Sequence, residues 1–284
     1  MGTATRYSPN VWEHHSRALY INVPISAELA ARLVAPAAGL KADLYGGSAW
    51  LSIMLDDLDS LRAHVAAGLF VPTPLTGWMS KVNLLVRGTV PRESIPVRGY
   101  QILSLRFEQG LRGAVMITGA RHTQRIPTFA AAFEMSDGPS GSARSSSTLA
   151  PGAAYSAKLT SVGDEAAIKN TAGEILLSIE GRLSDPLKGF DRAFAKFVVE
   201  RPHKFLAQDG GAVAAYAPED DGSGRASFSA EGVLPVDVRE LQLERLLRPL
   251  FGADGIASQL DLSRACVFVQ PEYVLVDHHN VRLG

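Results

Sequence analysis

The clearest bounds on this sequence come from what it lacks. Cys266 is its single cysteine, so no disulfide closes within one chain and neither a cysteine zinc site nor an iron–sulfur cluster can be assembled. A reducing compartment fits that composition. An excess of one charge is missing too. The 28 Lys and Arg residues stand against 29 Asp and Glu, a formal net charge of -1 that gathers neither nucleic acid nor an anionic membrane. Aromatic residues are only 7% of the chain, too few to build a base-stacking surface among basic groups. Long apolar runs are absent: Val65 to Val71 is far too short to span a bilayer, and Met1 to Arg6 lacks the apolar stretch of a signal peptide. Gly2 is followed by Arg6 where a myristoylation site wants Ser or Thr. These absences lead to the expectation of a cytoplasmic protein with no nucleic-acid and no membrane partner.

The familiar enzyme motifs are missing as well. The sequence has no P-loop, no dinucleotide fingerprint, no H-E-x-x-H pair and no G-x-S-x-G elbow. Two histidine pairs, His14-His15 and His278-His279, offer imidazoles. Neighbours on a strand point to opposite faces, however, so each pair supplies one inward ligand and no metal site is expected. No cofactor is expected either.

What is present is ordinary globular material, 46% hydrophobic and 20% charged over 284 residues, enough for one large β-domain or two smaller ones. Period-two runs dominate. Arg17 to Asn22 reads as a strand, followed by a short helix that Ser26 caps. Lys41 to Tyr45 and Ser48 to Leu55 flank Gly46-Gly47 as a hairpin. The Pro- and Gly-bearing stretch 59–77 reads as an irregular excursion or lid.

Lys81 to Arg87 places Lys81, Asn83, Leu85 and Arg87 on one face and Val82, Leu84 and Val86 on the other. Tyr100 to Glu108 alternates in the same way, with Tyr100, Ile102, Ser104 and Arg106 opposed to Gln101, Leu103, Leu105 and Phe107. A helix is expected over Leu111 to His122, packed within the sheet, then a strand over Thr128 to Met135. The Ser-rich segment Gly138 to Thr148 reads as a mobile loop.

Further strands are expected around Tyr155 to Val162, Glu174 to Leu183, His203 to Ala207, Ala212 to Ala217 and Arg225 to Leu234, and two more around Val267 and Val274. Asp185-Pro186 reads as the start of a helix with a Leu187, Phe190, Phe194, Phe197 stripe, and a last helix runs through Val238, Leu241, Leu246 and Leu250. The fold class that follows is α+β, mainly antiparallel β.

Lys81 is the most informative single residue. Lysines are scarce, seven against twenty-one arginines, and this one sits in an apolar strand with Asn83 and Arg87 on its face. If the face lines a cavity, a desolvated lysine beside a second cation becomes nucleophilic toward carbonyls; if the face is solvated, Lys81 merely aids solubility.

Several segments carry a resemblance in order along the chain: Leu19 to Pro24, Leu40 to Trp50, Lys81 to Arg87, Gly99 to Leu105, Gly119 to Pro127, and Val199 to Arg201. Together they resemble the YqjF-like family, a branch of the acetoacetate decarboxylase-like superfamily. The resemblance implies one domain over residues 1–284, a cone-shaped antiparallel barrel with a few packing helices, and a loop at about 137–150. The superfamily motif G-R-E-x-x-G-(F/Y)-P-K-K matches Ala120 to Phe129, keeping Arg121 and Pro127. His122 stands for its glutamate, and Thr128 and Phe129 replace its lysines. The imine-forming lysine of the decarboxylases is one of those two, so decarboxylation by that route is not expected here. By the same resemblance the position of Lys81 holds a cavity-facing glutamate.

Two functions follow as expectations. One is a lyase, isomerase or cyclase acting on a carbonyl-containing organic acid. Lys81 is then imine nucleophile or cationic acid, Arg121 holds an oxyanion and His122 moves protons, while Asn83, Arg87, Trp78, Tyr100 and Thr128 contact substrate. The other is a non-catalytic protein that binds a small molecule. Either is compatible with a homo-oligomer.

Overall fold

The computed structural model describes residues 12–34, 39–66, 69–90, 95–110, 113, 126–136, 149–163, 171–186, 189–201, 203–207, 213–218, 230, 232–251 and 260–283. Its strands are β1 (Trp12–Ile25), β2 (Lys41–Ala42), β3 (Leu44–Tyr45), β4 (Ser48–Ala66), β5 (Leu69–Thr73), β6 (Gly77–Val90) and β7 (Ile95–Glu108). They continue as β8 (Thr128–Met135), β9 (Ala154–Ser161), β10 (Ile175–Leu183), β11 (His203–Ala207), β12 (Val213–Pro218), β13 (Leu234–Gln242) and β14 (Cys266–Leu283). Among the described residues three α-helices join them: α1 (Ala27–Leu33), α2 (Arg192–Val199) and α3 (Glu244–Phe251).

Strand pairing runs β7-β8-β9-β10-β13-β14-β1-β4-β6 and returns to β7, a closed barrel of nine strands. All these pairs are antiparallel except β7–β8. The ribbon β11–β12 makes a second link, parallel to β7 at one edge and antiparallel to β14 at the other. Closure removes the open edges that would otherwise recruit other chains. No helix among the described residues is long and apolar enough to cross a membrane.

Local chemistry explains most boundaries. Ser26 caps α1 as its Oγ accepts from the Leu29 amide at 3.1 Å, with Glu28 in the first turn. Gly46 and Gly47, at φ 59 and 80°, turn β3 into β4 in the left-handed conformation that a two-residue hairpin loop demands. Gly181 fills a different need: a Cβ there would stand 2.4 Å from the Asp237 carbonyl oxygen, at the irregularity where β10 passes β13.

Four sequence expectations are corrected. The stretch 59–77 is not an irregular lid: β4 runs on to Ala66 and β5 folds back on it, pairing Leu61 with Thr73. Pro72 fits because β5 pairs with β4 alone and is an edge strand. The helix expected from Asp185 starts later, at Arg192, capped by Asp191, whose Oδ1 accepts from the Phe194 amide at 3.0 Å. Val238 and Leu241 belong to β13, so the last helix begins only at Glu244. The two final strands are one, β14. The helix expected over Leu111 to His122 lies outside the described residues apart from Gly113, as does the Ser-rich loop Gly138 to Thr148.

The central stretches of β1, β4 and β6, residues 16–25, 49–58 and 77–86, are buried on both faces. On one face Leu19, Ile21, Val23, Leu51, Ile53, Leu55, Val82, Leu84 and Val86 pack against β9, β10 and α3 through Leu159, Leu177, Ile179 and Leu246. Each fully buried aliphatic side chain of this set contributes about 1.5–3 kcal/mol. On the other face Tyr20, Trp50, Met54 and Leu85 pack against Phe194, Phe197 and Val198 of α2.

Arg201, fully buried, fastens α2 to the sheet. Its guanidinium donates to the Phe197 carbonyl at 2.7 Å, to the Val86 and Gly99 carbonyls at 3.1 and 3.2 Å, and to Asp43 at 2.8 Å. Desolvation is the main influence on this guanidinium and pulls its pKa below the usual arginine range, with Tyr100 and Asp43 opposing it. A buried arginine is tolerated when its donors are met in this way.

Candidate functional site

The face covered by α2 carries Asn22, Ser52, Asp56, Lys81 and Asn83, while Arg17, Asp57 and Ser80 lie on the opposite face. Cross-strand register sets it out in rows, since residues directly opposite one another share a face. One row reads Phe268, Tyr20, Met54, Lys81, Leu105, Thr128 across β14, β1, β4, β6, β7 and β8. The next row toward the start of β6 is Gln270, Ala18, Asp56, Met79, Phe107. On the other side lies Cys266, Asn22, Ser52, Asn83, Ile102. Every one of these residues is buried except Cys266, which is half-buried.

Lys81 stands at the centre of this grid. Its side chain is 10% exposed and its Nζ pairs with Asp56 Oδ2 at 3.1 Å, an ion pair inside the sheet. The second cation expected beside it is elsewhere: Arg87 is exposed at the end of β6, across from Arg98 and Lys41. The partner of Lys81 is a carboxylate, which stabilises the ammonium form.

Thr128 occupies the same row two strands away, and its hydroxyl donates to the Ile126 carbonyl at 2.8 Å. Two sheet spacings separate the Lys81 and Thr128 backbones by about 9.6 Å.

Tyr20 and Tyr100 frame the site. The Tyr20 hydroxyl donates to Gln270 Oε1 at 3.3 Å and its ring stacks on Phe268 at 5.1 Å. The Tyr100 hydroxyl donates to the Val198 carbonyl of α2. Burial drives both phenols well above their ordinary range, so neither ionises near neutral pH. The Cys266 thiol is pushed up to about 12, again chiefly by burial, and is therefore a weak nucleophile.

The structure thus brings together Lys81, Asn83, Tyr100 and Thr128 of the residues singled out from sequence. Trp78 does not join them. It lies on the opposite face, stacked on Phe133 at 6.2 Å and under the Arg17 guanidinium at 5.0 Å, where Arg17 pairs with Asp57 at 2.6 Å. Arg121 and His122 lie outside the described residues. The four paired histidines stand on β1 and β14 with side chains outside the described ones.

The facing of β7 also differs from simple alternation. A register shift at Leu103 puts Tyr100 and Ile102 on the same face as Leu105 and Phe107, while Gln101, Ser104 and Arg106 share the other. One extra residue in a ladder reverses the face of everything beyond it.

Sequence reasoning missed Asp56, Asn22, Ser52 and Gln270. The signal was available: Ser52-Ile53-Met54-Leu55-Asp56 and Tyr20-Ile21-Asn22 alternate strict aliphatics with groups that carry polar atoms. The grooves along β10 near Glu180, Arg182 and Arg239 are surface features on the outer wall, lined by an exposed ion pair.

The fold is that of the acetoacetate decarboxylase-like proteins. Among solved structures the chain is similar to the enduracididine biosynthesis enzyme MppR complexed with pyruvate, with a TM-score of 0.55 and 14% identity over 100% of this chain and 94% of that one. It is similar to an acetoacetate decarboxylase-like enzyme from Sphingomonas wittichii RW1 with a TM-score of 0.53 and 11% identity, over 99% and 96% of the two chains. Acetoacetate decarboxylase from Legionella pneumophila aligns at a TM-score of 0.50 and 10% identity, over 99% and 93%. No protein-family profile matches the sequence, and no curated protein does.

Proposed function

We propose that this chain is a small-molecule enzyme of lyase, isomerase or cyclase type that acts on a carbonyl-containing organic acid, with Lys81 as the group that meets the substrate. One observation carries the reading: a buried Lys81–Asp56 pair at 3.1 Å, in line with Thr128 on the sheet face that α2 covers. Water-excluded charge of this kind costs stability unless it is paired, and it is common where a substrate's charge must be met. The structural neighbours support the substrate class, since MppR is complexed with pyruvate in one structure and with a condensation product of pyruvate in another. Membership of the YqjF-like branch belongs to the same proposal.

Thr128 has no amine, so the nucleophile of the decarboxylases is not supplied from its position. Asp56 favours the cationic role for Lys81: its ammonium binds the substrate carboxylate or polarises the carbonyl oxygen, and Asp56 receives its proton when the free base is needed. An imine at Lys81 would require that free amine, which forms a C–N bond as the carbonyl oxygen leaves as water. Arg121 and His122 keep their proposed roles as oxyanion holder and proton carrier.

Pyruvate binding by calorimetry, together with intact mass after pyruvate and borohydride, tests this on wild type and Lys81→Ala. The expected result is Lys81-dependent binding without a reduced adduct. An adduct lost in Lys81→Ala would make Lys81 the imine nucleophile instead, and unaltered binding in the variant would overturn its role. A second reading, a non-catalytic binding protein, is favoured by Thr128 itself; it requires ligand-induced stabilisation without turnover of any keto acid.

A further inference from the structure

One row of the α2-covered face is left chemically open. Asn22, Ser52 and Asn83 lie directly opposite one another on β1, β4 and β6, each 0 or 1% exposed. Facing side chains in such a row have Cβ atoms about 5 Å apart. Asn22 Oδ1, Ser52 Oγ and Asn83 Oδ1 have no hydrogen-bond partner among the described residues. The orientation of the Asn22 amide is fixed, because its Nδ2 donates to the Cys266 carbonyl at 3.0 Å, so the atom left over is an acceptor.

Three adjacent strands therefore present a ladder of unused oxygen atoms, roughly 6.7 Å along the strands from the row that holds Lys81. Buried polar atoms are nearly always satisfied in native proteins, and three orphans side by side in one cross-strand row point to a partner that arrives from outside. Lys81 is the one charged group in the row beside the ladder, where Tyr20 and Met54 are neutral, as are Trp50 and Leu85 in the cluster under α2. The nearby carboxylate, Asp56, is already paired with Lys81. A fully cationic group has no counter-charge at this depth, whereas neutral O–H or amide N–H donors match the acceptors.

We infer that the Asn22–Ser52–Asn83 ladder is a specificity subsite for the tail of the substrate, and that the substrate is a hydroxyl- or amide-bearing carbonyl acid rather than a plain alkyl one. The inference rests on the proposal that Lys81 meets a carbonyl acid; it adds the chemistry of the other end of that molecule. An alkyl tail would bury the three oxygens without replacing the hydrogen bonds they could make, and a site built for hydrogen bonds discriminates strongly against such an analogue.

Dissociation constants for 2-oxobutanoate and 4-hydroxy-2-oxobutanoate test it in the full-length chain, on wild type, Ser52→Ala, Asn83→Leu and Lys81→Ala. The wild type should bind the hydroxylated acid at least tenfold more tightly. Ser52→Ala, which removes one atom and poses little risk to folding, should shrink that preference. Asn83→Leu should shrink it too, with a melting temperature equal to or above that of the wild type, since it removes an unsatisfied group. Equal affinity for both acids, lost in Lys81→Ala, would overturn the ladder and keep the Lys81 reading. A preference untouched by Ser52→Ala and Asn83→Leu, with a lower melting temperature in both, would make the ladder structural and overturn it. Binding of neither acid would remove the carbonyl-acid reading and the ladder's role with it.

Discussion

The two faces of β1, β4 and β6 are both buried but distribute their polar groups differently. On one, nine aliphatic side chains from Leu19 to Val86 meet others from β9, β10 and α3, and the polar groups, Ser80 and the Arg17–Asp57 ion pair, stand at one end of that apolar block. On the other, Lys81, Asp56, Asn22, Ser52 and Asn83 are held at no more than 8% exposure among aromatics. Burial alone does not separate a core from a site; what separates them is whether polar atoms were kept there against their desolvation cost. The first face stabilises the barrel, and the second uses part of that stability to hold unmet or charged groups in place.

The largest effect that would sharpen this contrast is expected from Ile53→Asn on the aliphatic face, where the cross-strand neighbours Ile21 and Val82 offer an amide no partner. A loss of about 4 kcal/mol or more is expected by denaturant titration, enough to prevent folding. A cost as small as that of Ser52→Ala would erase the distinction between the faces.

Lys81→Met comes next. It retains side-chain bulk but strands the Asp56 carboxylate, for an expected loss of about 3 kcal/mol. Adding Asp56→Leu should restore most of that stability without restoring keto-acid binding. A double variant no more stable than Lys81→Met would show that the pair is not the source of the cost.

The smallest effect at neutral pH belongs to the tyrosines. Tyr20 and Tyr100 have folded-state pKa values raised by burial above the unfolded phenol value of about 10. Their contribution is therefore complete below that pH and is lost as the pH rises beyond it, because the unfolded chain ionises first. Melting temperature should stay flat in this respect to about pH 10 and then fall, with phenolate absorbance appearing together with unfolding. Phenolate absorbance that precedes unfolding would show that these rings are not sealed.

Much of this contrast is legible in the sequence, and the failures have physical causes. The run Lys81 to Arg87 gives both faces of β6 correctly, because an unbulged strand obeys a period of two. Tyr100 to Glu108 does not, since the extra residue at Leu103 leaves no mark in composition while it changes which neighbours face Lys81. Asp56 escapes notice because Asp56-Asp57 looks like a polar loop signal, whereas one carboxylate faces Lys81 and the other Arg17 through opposite sides of β4. Asp185-Pro186 imitates a helix start more strongly than Asp191 does, yet Asp191 is the residue whose side chain reaches the first free amides. Arg87 and Trp78 show the limit of the method for sites: strand parity gives a face, but neither the depth along the strand nor the face on which function lies.

Arg201 has a consequence for traffic. By grasping carbonyls of α2, β6 and β7 together with Asp43, one guanidinium makes the helix above the polar face a wall rather than a gate.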